Sequence, residues 1–84
     1  MASTGGWEAL APALGRTGLS LLALHERYVG LGGCATAGSL AGHFSHGGEL
    51  TASEHDLAVL AINERFLEMN RSERLSYITP SPLD

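Results

Sequence analysis

Four side chains in this sequence have the donor atoms for metal or nucleophilic chemistry: Cys34, His43, His46 and His55. A thiolate and three imidazoles are a donor set for tetrahedral zinc. Their spacings of nine, three and nine residues fit no compact zinc pattern. His43 and His46 share a face only if one helix carries both. The histidines are therefore read first as surface and capping residues around a loop, and the cysteine as a small buried hydrophobe. A metal- or small-ligand-binding site built from Cys34, His43, His46 and His55 is the alternative. Cys34 beside one of the histidines would also make a nucleophile–base couple, but the sequence offers no orienting third group. His25, lying between two apolar patches, is read as a satisfied, partly buried histidine. Gly30 to Ala35 matches a G-x-G-x-x-A spacing. That motif needs a preceding strand and a βαβ unit, and what precedes it here is helical in pattern, so the match is read as coincidence. No cofactor is implied, and the chain is read as non-enzymatic.

The element that must organise these residues is Leu50–Met69. Thr51 followed three residues later by Glu54 is a capping box, in which the hydroxyl takes a free amide and the carboxylate reaches back. Val59, Ile62, Phe66 and Met69 form one apolar stripe on this helix; Leu57, Leu60, Ala61 and Leu67 form a second. A surface helix needs only one such stripe, so this one must be covered on two sides. Glu64 interrupts the second stripe, and either faces solvent with Glu68 or pairs with an arginine such as Arg27. The interaction face is accordingly expected at Leu57, Leu60, Ala61, Glu64 and Leu67.

Upstream, a heptad register runs from Trp7 to Leu31, with Trp7, Leu14, Leu21 and Tyr28 at one core position and Leu10, Thr17, Leu24 and Leu31 at the other. Seven of these eight are apolar, which suits a helix–helix seam. An interior proline is disfavoured, so the spacing predicts a short turn from Trp7 and then one helix from about Pro12 to Val29. Leu22 and Val29 make a small patch beside the seam. Gly30–Gly33 should end that helix with a left-handed cap. Ala35–Phe44 reads as a short helix capped by Cys34 or Thr36, with Gly38 and Gly42 small enough for another backbone to approach. Arg71–Arg74 reads as a solvated last turn, with Leu75 and Ile78 docking back.

Composition bounds the function. The chain has 84 residues, net charge −4, 44% apolar and 17% charged residues, and no lysine. One small domain of this kind buries only about 60–65% of the surface its unfolded chain exposes. Sparse surface charge favours self-association, while an acidic balance disfavours nucleic acid. A helix-turn-helix made of Thr36–Phe44 and the helix from Thr51 is the weakest alternative, because Glu49, Glu54 and Asp56 would face phosphates. One cysteine excludes an internal disulfide framework and suits a reducing compartment. With neither a signal peptide nor a membrane-length apolar run, a cytoplasmic location is expected.

The resulting expectation is an all-α fold: residues 1–6 disordered, 7–78 a single helical domain, 79–84 an extended Pro-containing tail. Two long antiparallel helices with a short one between them form a hairpin, which dimerises into a four-helix bundle. The expected function is protein–protein interaction or regulation through helix surfaces, with a second copy of the chain and another protein as partners, and with neither nucleic acid nor membrane.

Overall fold

Gly18 breaks the helix that the Trp7–Leu31 seam predicts. In the computed structural model, which describes residues 6–78, a 3-10 turn at Trp7–Ala9 leads into α1 (Leu10–Thr17), followed by α2 (Leu21–Gly30), α3 (Ala37–His46) and α4 (Ala52–Glu68). Every secondary-structure element among the described residues is a helix, with no strand among them. The single helix expected over Pro12–Val29 is thus two helices. Pro12 sits in the first turn of α1, where the amide it lacks has no helical acceptor anyway. Gly18 then takes φ +73°, the left-handed conformation that only glycine adopts without penalty. Thr17, fully buried, donates to the Leu14 carbonyl (2.6 Å) and accepts from the Leu19 amide (3.1 Å). Ser20 restarts the chain by accepting from the Ala23 amide (3.1 Å). Removing that cap with Ser20→Ala should lower the unfolding free energy by about 1 kcal/mol, read from the urea midpoint. An unchanged midpoint would show that packing alone fixes the start of α2.

The seam survives the break. Leu10, Thr17, Leu24 and Tyr28 are fully buried, and Trp7, Leu14, Leu21 and Leu31 are partly buried. The start of the partner stripe, Val59, Ile62 and Phe66, is buried against them; Met69 is only half-buried. α1 and α2 both pack on α4, while α3 packs on α2, α1 and the N-terminal turn. Leu40 and Phe44 of α3 complete the core.

Helix ends account for the remaining differences. α2 ends as expected in the glycine run: the Gly33 amide donates to the Tyr28 carbonyl (3.0 Å) and Gly32 to Val29 (2.9 Å), a Schellman pair. Thr36, not Cys34, caps α3 through the Ser39 amide (3.1 Å). Gly38 and Gly42 do not admit another helix backbone: their nearest neighbours are side chains, Thr36 and Glu49. α4 ends at Glu68 with a second Schellman-like closure, in which Asn70 takes φ +64° and the Arg71 amide donates to the Phe66 carbonyl (2.9 Å). Arg71–Arg74 is therefore not a last helical turn. The expectations for residues 1–5 and 79–84 lie outside the described residues.

Candidate functional site

Of the four metal-ligand candidates, the fold brings two together. His43 and His55, only 5% and 2% exposed, meet with Nε2 of His43 2.9 Å from Nδ1 of His55 and the rings in a T-shaped arrangement. The Leu50 amide donates to Nδ1 of His43 (3.3 Å). His43 therefore carries its proton on Nε2 and donates to Nδ1 of His55. His46 is exposed, its Nδ1 3.3 Å from the Gly47 carbonyl oxygen. Cys34 is an exposed free thiol elsewhere, not the buried hydrophobe its surroundings in sequence predict. Among the described residues no group of three or more His, Cys, Asp or Glu side chains is arranged to hold a metal ion. His25 is half-buried, with Nε2 2.9 Å from the Ala35 carbonyl oxygen.

A second polar centre joins α2 to α4. Tyr28, fully buried, donates its hydroxyl to Glu54 Oε1 and accepts from the Ala35 amide (2.9 Å). The Cys34 amide donates to the same carboxylate oxygen (3.1 Å). Half of the predicted capping box is present, since Thr51 accepts from the Glu54 amide (3.2 Å); the Glu54 carboxylate holds Tyr28 and the Cys34 amide instead of its own helix start. Those two donors hold the Glu54 carboxyl below its ordinary pKa, Tyr28 contributing most. Burial, and then the carboxylate itself, raises that of Tyr28. The arrangement clamps the 31–36 loop. It leaves the first turn of α4 acidic and engaged.

The expected interaction face is divided between core and surface. Ala61 is fully buried, Leu57 and Leu60 are half-buried, and Glu64 and Leu67 are exposed, Leu67 by 66%. What covers part of this face is the segment after α4. Asn63 donates to the Leu75 carbonyl (3.1 Å) and accepts from the Leu75 amide (2.8 Å), so one side-chain amide satisfies both backbone groups and seats Leu75 in the core. Further along, the Ile78 amide donates to Asp56 Oδ1 (2.9 Å). Glu73 meets both Arg16 and Arg71. The docking expected of Leu75 is present; Ile78 is tied by its backbone while its side chain stays 47% exposed.

Between this returning segment and α4 lies a groove of about 300 Å³, lined by Leu60, Asn63, Glu64, Leu67, Arg74, Leu75 and Tyr77. Its lining is mainly apolar and includes one acid, Glu64, and one base, Arg74. Glu64 does not pair with Arg27. That guanidinium takes Glu68 in a two-pronged contact (2.8 and 2.9 Å), which lowers the pKa of the Glu68 carboxyl. Asn63, Arg74 and Tyr77 were not foreseen as parts of a site. A polar Asn placed between Ile62 and Glu64, one turn from both stripes, was the only signal of the docked segment. Comparison of the chain with protein-family models, with curated proteins and with solved structures gives no match. No helix among the described residues is long and apolar enough to cross a membrane.

Proposed function

We propose that the protein is a non-enzymatic interaction module and that the groove on the outer face of α4 is its binding surface. The observation that carries this reading is Leu67, 66% exposed beside the groove and flanked by the 48%-exposed Tyr77. Exposed large apolar side chains around a mainly apolar groove with few charges are the anatomy of a protein-binding patch. The occupant we favour is a second copy of the chain. A two-fold axis places the same patch against itself, so each surface must complement its own image. Here Glu64 and Arg74 supply opposite charges on the two sides of one groove. In an antiparallel pair of α4 helices, Glu64 of each copy meets Arg74 of the other while Leu67 and Tyr77 fill the centre. Because the described residues already form four α-helices around one core, the dimer joins two such units rather than two hairpins of one bundle.

The test is the molar mass in solution by light scattering and sedimentation. A dimer is expected, and Leu67→Asp should shift it to monomer by burying an unpaired carboxylate at the contact. Glu64→Arg should weaken the dimer through facing like charges, and the swapped double variant Glu64→Arg/Arg74→Glu should recover it. A wild-type chain that stays monomeric at the highest soluble concentration would sink self-association. Capture of a different protein in a Leu67-dependent way would then assign the groove to that partner.

A further inference from the structure

We infer that the His43–His55 pair is an acid-released latch between α3 and the start of α4. It is independent of the groove, which lies on another face of α4. Its geometry suits the neutral pair. With the Leu50 amide directed at Nδ1 of His43, the His43 proton sits on Nε2 and points at Nδ1 of His55. Protonating His43 puts two N–H groups face to face at Leu50. Protonating Nδ1 of His55 puts them face to face between the rings, or, if His43 changes tautomer, again at Leu50. Neither charged form keeps both contacts, and the site is buried.

Among the described residues, the ionisable groups around the pair give an added charge on His43 little help. Glu49, in the loop before α4, is the one carboxylate acting on His43; burial and the His55 ring oppose it and lower the His43 pKa below 6.5. On α4 the neighbouring carboxylates are engaged, Glu54 with Tyr28 and the Cys34 amide, Asp56 with the Ile78 amide. On α3 itself His46 is exposed. Of the elements packed on α3, α2 has Arg27 on Glu68, His25 against the Ala35 carbonyl and Glu26 in solvent, α1 has Arg16 on Glu73, and the N-terminal turn has Glu8 in solvent. A ring with a lower pKa when the latch is closed than when it is open is protonated in the open form first. The closed form is thus favoured above the ordinary pKa and loses ground as pH falls through 6.5 toward the closed-state value. For one ring that stays neutral when closed, the closed-to-open ratio falls up to about thirtyfold between about pH 7.5 and about pH 5.

Trp7, the single tryptophan, reports the event because its ring packs on Gly47 directly after α3. In the full chain, Trp7 emission should move to the red on acidification with a midpoint below the ordinary histidine pKa, while far-UV circular dichroism retains most of the helix. In His43→Gln/His55→Gln, which keeps His25 and His46, the emission should hold its neutral-pH position throughout. A flat wild-type emission, the same transition in the double variant, or loss of all helix at the same midpoint would each overturn the latch. A second measurement covers a double variant that fails to fold. Imidazole ¹⁵N spectra of the wild type near neutral pH should show His43 protonated on Nε2 alone, and a charged ring or the Nδ1–H tautomer would overturn the latch equally.

Discussion

Replacing Tyr28 by alanine is expected to lower the unfolding free energy by about 4 kcal/mol, and replacing it by phenylalanine by about 2 kcal/mol. The first figure is that of truncating a fully buried aromatic ring, and Tyr28 has no exposed surface at all. The second isolates the hydroxyl, which donates to a carboxylate and accepts a backbone amide. Removing the oxygen leaves the Ala35 amide without that acceptor and Glu54 without its strongest donor. For a domain whose whole stability is about 5–15 kcal/mol, the alanine variant forfeits a large part of it. Gly33 belongs to the same argument: a Cβ built there would fall within 2.3–2.5 Å of the Tyr28 ring, so the loop closes on the tyrosine only with glycine at that position. Urea unfolding followed by circular dichroism measures both changes. A phenylalanine variant within about 0.5 kcal/mol of wild type, the spread of neutral surface changes, would show that the ring alone holds the loop.

Asn63→Ala should cost about 3 kcal/mol, because it strands the amide and the carbonyl of a buried Leu75 as well as removing side-chain volume. The loss has a local signature. Leu75 should exchange its amide proton freely while amides in the middle of α4 remain protected, and the groove should lose its Leu75 and Tyr77 wall. Asn63→Asp sharpens the reading: it keeps an acceptor for the Leu75 amide but sets a carboxylate against the Leu75 carbonyl, and it should be no better than alanine. If Leu75 stays protected in the alanine variant, apolar packing rather than the amide clamp holds the returning segment.

Local signals were legible in the sequence where one residue type had one physical use. The helical class, the Thr51 cap, the glycine stop after Val29 and the burial of Val59, Ile62 and Phe66 all follow from spacing and cap chemistry. The break at Gly18 was less legible. A heptad pattern continues through Gly18–Ser20 because the three residues that turn the chain fall between the two seam positions of the repeat. Glu54 misled for a related reason. Its spacing from Thr51 fits a capping box, yet a tyrosine hydroxyl and an amide from across the fold outbid its own helix start, and nothing near it in sequence announces them. The histidines show the same limit: twelve residues separate His43 from His55, and only the turn through Gly47 and Gly48 brings their rings together. The second apolar stripe was expected to need cover; the structure covers part of it with Leu75, in a segment read as a solvated helix end followed by residues docking back, and leaves Leu67 exposed.

The Arg65 side chain, half-buried on α4, donates Nε–H to the carbonyl of Thr17 (3.1 Å), 48 positions earlier. Thr17 is the last residue of α1, so the arginine tops the very helix end that Gly18 opens. Together with the contact between Arg16 and Glu73, 57 positions apart, this makes the first helix dependent on groups that leave the ribosome well after it. Such distant closures slow folding, because the loop between the partners must be ordered before the contact returns anything. Synthesis therefore proceeds with α1 unfinished at its carboxyl end until α4 has emerged. A chain stalled before Arg65 should show α1 amides exchanging with solvent, although every residue of that helix has long been made.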